Sequence, residues 1–259
     1  MKKLFIVLCL PLLVLGMASC DNKDNEPKGP ETAGTEQTSP ESGTPEGGES
    51  DKTVLPDEGD KPVEKPFEPT IPTENVMSRL YVDLGLSVKW AYSNYGTINS
   101  PSQVGDLVAW GAFRNKTEST WENYPYGDAS QGKLDKYCLD EEYGKVDNLT
   151  TLEKADDAPA TSWGGGWRMP TASEFQELID ECTWEWGTYN DMDGYLVTGP
   201  NGNSIFLSVN DADMGYYWTS ELSGFSDAAM MLVFSKIGIK VLSSERISQF
   251  AIRPVIEIE

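Results

Sequence analysis

The 259-residue chain contains no histidine, and that absence removes most of the common catalytic constellations. Ser-His and Cys-His nucleophile pairs and imidazole metal sites all rest on the one side chain that titrates near neutrality. Two close acidic pairs, Asp191 with Asp193 and Asp211 with Asp213, offer the hard oxygen ligands that a calcium ion takes. Tyr189, however, stands where the first ligand of a loop through Asn190, Asp191, Met192, Asp193 and Gly194 would have to be, so each pair reads as a solvated turn. No metal, no cofactor and no catalytic residue is assigned. What remains is contact chemistry. Trp121, Tyr124 and Tyr126 lie among Asn123 and Asp128 in a polar stretch, and Trp184 and Trp186 flank Glu185. Flat rings cover the apolar faces of sugars and anchor protein partners at low entropic cost, so these five are the expected ligand-binding residues.

Those rings need a scaffold, and the stretch from Trp163 to Gly187, WGGGWRMPTASEFQELIDECTWEWG, is its organising part. Gly164, Gly165 and Gly166 permit a turn without a Cβ penalty. Thr171 and Glu174 have the spacing of a capping box. Phe175, Leu178, Ile179 and Cys182 then recur at helical spacing, with Gln176, Glu177, Asp180 and Glu181 opposite, which predicts a helix with one core-facing stripe. Arg168, ahead of that helix, and Arg253, near the chain end, are read as structural cations that bond buried carboxylates or carbonyls. Val88, Trp90 and Tyr92 alternate as in a half-buried strand, and Asn201-Gly202 is a hairpin turn signal. Tyr216-Tyr217-Trp218 reads as a further strand, residues 229–242 as a second hairpin, and residues 251–255 as a closing edge strand that tolerates Pro254. Residues 111–162 show little periodicity, and a loop of that length is functional or pinned by its own side chains. The expected class is α+β, dominated by short antiparallel strands.

Charge narrows the partners. The chain carries 42 acidic and 20 basic residues, a net charge of −22. Phosphate recognition needs clustered Lys and Arg, so nucleic acid is not an expected partner. Residues 1–19 have two lysines, the run LFIVLCLPLLVLG and then small residues, a secretion signal too short to span a bilayer. Met17-Ala18-Ser19-Cys20 resembles a bacterial lipobox, which implies cleavage before Cys20 and lipidation of that cysteine. The acidic run after Cys20 resembles the surface-export signal of Bacteroidetes lipoproteins. Residues 20–75 are rich in Pro, Glu, Gly, Ser and Thr, and from Asp21 to Asn75 acidic residues outnumber basic ones 15 to 5, so a disordered tether is expected. All eight tryptophans follow it, which places one folded domain at residues 76–259. In an oxidising compartment Cys138 and Cys182 could pair, or Cys182 could fill its helix face as a small apolar residue; spacing does not choose between the two.

The segments VDLGLSVKWA, GDLVAWG, WGGGWRMPTASEFQELIDECTW, GYLVTGPNGNSIFL, GYYWTSE and AIRPV, in this order, resemble the Fibrobacter succinogenes major paralogous domain, a family abundant in secreted and surface lipoproteins of gut Bacteroidetes. The resemblance runs from Leu80 to Val255, and its Trp-Arg-Met-Pro-Thr block is similar to that of domains with the C-type lectin-like fold. It implies that a strand at residues 82–86 or 88–92 pairs with residues 251–255, and that the long loops on one side bind ligands. The Glu-Pro-Asn, Gln-Pro-Asp and Trp-Asn-Asp calcium motifs of animal lectins do not occur in the folded part. The expected function is therefore a lipid-anchored, surface-exposed, non-catalytic binding protein for a glycan or protein, touching membrane only through its anchor. Two rivals stand beside it: an accessory subunit of a surface assembly, and an enzyme related to formylglycine-generating proteins, whose reactive cysteines are poorly matched by Cys138 and Cys182.

Overall fold

Alternating and helical apolar patterns are realised as short elements in the computed structural model, which describes residues 66–114 and 117–258. The readings on the signal segment, on Cys20 and on residues 21–65 lie outside the described residues. The strands are β1 (Asn75–Val76), β2 (Arg79–Val82), β3 (Lys89–Ala91), β4 (Gly127–Asp128), β5 (Lys133–Leu134), β6 (Thr183–Tyr189), β7 (Met192–Thr198), β8 (Ser204–Ser208), β9 (Met214–Leu222), β10 (Ala228–Ser235), β11 (Gly238–Glu245) and β12 (Val255–Ile256). The α-helices are α1 (Ala158–Ser162) and α2 (Ala172–Glu181). The architecture is mostly β, with several small antiparallel sheets ordered β1-β2-β3-β12, β11-β10-β9, β6-β7-β8 and β4-β5.

Local chemistry accounts for the central stretch. Gly164, Gly165 and Gly166 all have positive φ, at 67°, 62° and 92°. Thr171 Oγ1 accepts from the Glu174 amide at 3.1 Å, and the Glu174 carboxylate accepts from the Thr171 amide at 2.8 Å, closing the capping box. Phe175 and Leu178 are fully buried, while Ile179 and Cys182 are half-buried at the rim of the same core. Cys182 is already extended, so α2 runs straight into β6. Asn190 and Asp191, both with positive φ, make the tight β6–β7 turn, and Gly202 with φ of 85° makes the β7–β8 turn.

The two ends of the domain meet. Trp90 on β3 pairs with Val255 on β12, and on its other side Val255 is bridged by Arg168. The closing strand is therefore not a free edge, and Pro254 precedes it rather than interrupting its ladder. Arg253 is fully buried and gathers the junction: Nε donates to Asn94 Oδ1 at 2.7 Å, and Nη1 and Nη2 donate to the carbonyls of Ala91, Tyr92 and Phe206. Trp90, Trp110, Trp163, Trp167 and Trp218 are all buried. They divide between a core around Phe175 and Leu178 and a second around Trp110, Trp163, Trp167 and Trp218.

Ordered packing begins upstream of the boundary expected at residue 76. The Thr70 amide donates to the Ser204 carbonyl at 2.9 Å, and the Phe67 ring stands edge-on to Phe206 at 6.2 Å. A Cβ on Gly187 would lie 2.5 Å from that ring, so glycine leaves the space that Phe67 occupies. The sequence reading missed this because one aromatic in a Pro- and Glu-rich stretch does not alter its mean composition.

Arg168 holds the glycine turn to the helix cap. It forks onto Glu174 at 2.9 and 2.6 Å and also reaches Glu257 at 2.8 Å. Burial opposes ionisation of Glu174, but the guanidinium and the Thr171 amide outweigh it and hold the carboxyl below its ordinary value. A depressed carboxyl stabilises the fold above its unfolded pKa, and that contribution disappears as pH falls through the lower, folded one. Glu174→Gln is expected to cost about 1–2 kcal/mol at pH 7. In urea titrations the gap from the unsubstituted protein should close as the pH drops below about 4. A pH-independent gap would assign the loss to shape rather than charge.

Candidate functional site

The long aperiodic region is pinned from inside by a cation that the sequence reading did not single out. Arg246, just beyond β11, is fully buried. Its Nε donates to Tyr124 Oη at 2.9 Å, and its terminal nitrogens donate to the carbonyls of Tyr137, Ser226 and Lys136 at 3.0, 2.8 and 3.3 Å. Four rings surround the guanidinium, with centroids at 5.1 Å for Trp110, 5.0 Å for Tyr124, 5.7 Å for Tyr126 and 5.8 Å for Tyr137. This is cation–π attraction in a desolvated setting, where it is strongest. Tyr124 Oη donates to the Trp110 carbonyl at 2.7 Å and Tyr126 Oη to the Gly111 carbonyl at 2.9 Å.

Tyr124 and Tyr126 are therefore not surface residues, contrary to the sequence reading; they are 5% and 7% exposed. A loop polar in composition can still turn its aromatics inward when a buried cation collects them. Trp121 is half-buried, its ring edge-on to Tyr124 at 5.5 Å. Trp184 and Trp186 are half-buried on β6, packed on Tyr195 at 5.4 and 5.0 Å, and Trp184 Nε1 donates to the Leu178 carbonyl. They belong to the core around Phe175, whereas Trp121, Tyr124 and Tyr126 belong to the one around Trp110. The five rings do not form one surface.

The cage does, however, support a cleft of about 370 Å³ lined by Ala112, Phe113, Arg114, Pro125, Tyr126 and Asp156. That volume lies in the range of small-ligand sites. Phe113 is half-buried and Arg114 and Pro125 are exposed, so an apolar wall carries a cation at its mouth. Asp156 accepts from Tyr137 Oη at 2.5 Å and pairs with Lys136, which also meets Glu153 at 2.5 Å. Burial opposes the Asp156 charge, but Lys136 and Tyr137 outweigh it and keep the carboxylate ionised. Tyr137 is pushed up to about 12 by burial and then by Asp156, and burial also raises Tyr124 and Tyr126. These phenols donate hydrogen bonds and do not titrate near neutrality.

A second cleft, of about 430 Å³, opens between residues 151–160 and the glycine turn. Leu152, Ala160 and Trp167 line it, with Lys154 and Arg168 beside them. Asp157, only 4% exposed, also lines it, and its two oxygens accept from the Ala160 and Met169 amides at 2.9 and 2.8 Å. Burial raises the Asp157 pKa.

Cys138 and Cys182 are both free thiols; Cys138 is buried beside Ala129 and Leu134, and Cys182 ends α2. Burial pushes the Cys182 thiol up to about 11, away from thiolate chemistry. Asp193 accepts from Thr188 within the β6–β7 hairpin, and among the described residues no group of three His, Cys, Asp or Glu is placed to hold a metal ion. No helix among them is long and apolar enough to cross a membrane. Compared with protein-family models, curated proteins and solved structures, the chain matches none.

Proposed function

We propose that this chain is a lipid-anchored surface protein, acylated at Cys20, whose C-type lectin-like domain of the major paralogous type binds a glycan or protein without catalysing a reaction. The observation that carries the reading is the cleft walled by Phe113 and Tyr126 on a cage made rigid by Arg246. Pairing of the chain ends through Trp90 and Val255, with a long loop region between them, supports the fold assignment. Phe113 and Arg114, which line that cleft, are the binding residues in this reading, in place of the five rings expected from the sequence.

The test screens the full chain against glycans and surface proteins, with and without chelator. Phe113→Ala is expected to weaken binding about tenfold or more, the loss of one well-placed ring contact. Trp184→Ala should leave it unchanged, because that ring packs inside the other core. Equal affinity of the Phe113 variant for every ligand found would move the site elsewhere. The accessory-subunit reading draws on β11, whose outer side has no pairing strand among the described residues and beside which Ile237 is 98% exposed. Its signature is a stable complex with a co-encoded protein that Ile237→Lys disrupts.

A further inference from the structure

Resting on the binding proposed for the cleft at Phe113, we infer that its ligand is an acidic sugar, a ring whose carboxylate meets Arg114 while its apolar face lies on the wall of Phe113, Pro125 and Tyr126. Four of the five arginines in the chain are satisfied from within. Arg79 donates to the Thr97 carbonyl at 2.9 Å and stands over the Trp163 ring, and Arg168 is taken up by Glu174 and Glu257. Arg246 and Arg253 are buried and donate to carbonyls. Arg114 differs from all of them. It is exposed, it lines the cleft, and it has no hydrogen bond or ion pair among the described residues. Acidic residues outnumber basic ones 27 to 13 over residues 76–259, yet none of those described pairs with it.

The rest of the lining selects the body of the ligand. Ala112, Phe113, Pro125 and Tyr126 make the wall mainly apolar, as the flat face of a sugar ring requires. A ligand seated there displaces water from beside the guanidinium, and a neutral one would leave its donors unmet. A carboxylate accepts from them as a fork, the geometry to which arginine is matched. Asp156 is the one carboxylate of the lining, and Lys136 with the Tyr137 phenol already holds it, so its charge is offset. Repulsion from the other acids is screened beyond about 8 Å at physiological salt. A peptide is served less well. Residues 111–114 and 125–126 belong to no strand, and Pro125 has no amide to donate, so the lining offers no edge for a peptide backbone to pair with. The volume of about 370 Å³ lies near the lower end for small-ligand sites and suits a single ring rather than an extended segment.

The test measures binding of the full chain to oligosaccharides of glucuronate, galacturonate, mannuronate, guluronate and sialate, each beside the same compound with its carboxylates reduced to alcohols. At least one acidic compound should bind about tenfold or more tighter than its reduced form, the worth of one charge-assisted fork. Arg114→Gln should remove that preference while leaving affinity for the reduced form and the unfolding temperature unchanged, because Arg114 holds nothing in the fold. Phe113→Ala should weaken both forms alike. Equal binding of acidic and reduced forms, or a preference that survives Arg114→Gln, would overturn the acidic-sugar assignment and leave binding at Phe113 standing. Acidic compounds bound as tightly by the Phe113 variant would overturn both. If no acidic compound binds, the assignment falls, and capture of polyglutamate that is lost in Arg114→Gln would give the cleft to a protein partner.

Discussion

Arg253→Met is expected to lower the stability of the domain by on the order of 4 kcal/mol, the range found when a buried hydrogen-bonded charge is removed and its partners stay behind. The residue is fully buried, and burial pulls its pKa down to about 10, so it is still charged at neutral pH. Its partners are the Asn94 side chain and the carbonyls of Ala91, Tyr92 and Phe206, which together belong to the first strands, the segment after them and β8. Methionine fills much of the volume but leaves these acceptors dry. Against a total stability of about 5–15 kcal/mol this is a large fraction. In urea the midpoint should fall by about 2 M for a slope near 2 kcal/mol/M. The amides of Ala91 and Tyr95, which bond the Pro254 and Ile252 carbonyls, should lose hydrogen-exchange protection first. A midpoint shift below about 0.5 M would mean that the strand pairing of Trp90 with Val255 holds the chain ends without the guanidinium.

What could be read from residue order alone was what is decided within a few residues. The Thr171 and Glu174 cap, the Phe175 and Leu178 stripe and the Asn201-Gly202 turn each carry their partners at short spacing, and each is found where expected. Arg246 had no such signal. It sits in a polar Ser-Glu-Arg stretch, and Tyr124, which it bonds, lies 122 residues away in the sequence. Without that partner in view, Tyr124 and Tyr126 look like loop aromatics facing water. Phe67 was hidden for a related reason: its counterpart is the missing side chain of Gly187, and an absence leaves no pattern. Asp157 likewise reads as one more acid in Glu153-Lys154-Ala155-Asp156-Asp157, although it alone of that run is buried.

The second large effect tests whether the aromatic cleft is built by its cage. Arg246→Met removes four hydrogen bonds and the charge that four rings face, leaving the Tyr137, Ser226 and Lys136 carbonyls and the Tyr124 phenol to find other partners. About 3–5 kcal/mol is expected for loss of a buried polar network of this kind. The loss should be local before it is global. Residues 117–157 contain only short elements, so their fixed geometry depends on side-chain anchors more than on ladders. Tyr137 is itself held at a φ of 59°, with its amide and that of Cys138 tied to Asp147, a conformation that a bulky residue keeps only when its surroundings impose it. In the variant, proteolysis should cut within this region at protease levels that leave the unsubstituted protein whole, while the amides of β7 and β8 stay protected. Tyr124→Phe, which deletes only the phenol bonds, should cost about 1–2 kcal/mol, and the double variant should cost less than the sum because both changes break one network. Strict additivity would show that the guanidinium and the phenol act separately. Protection lost equally in β7 and β8 would show that Arg246 supports the whole fold, and the cleft at Phe113 would then have no scaffold of its own.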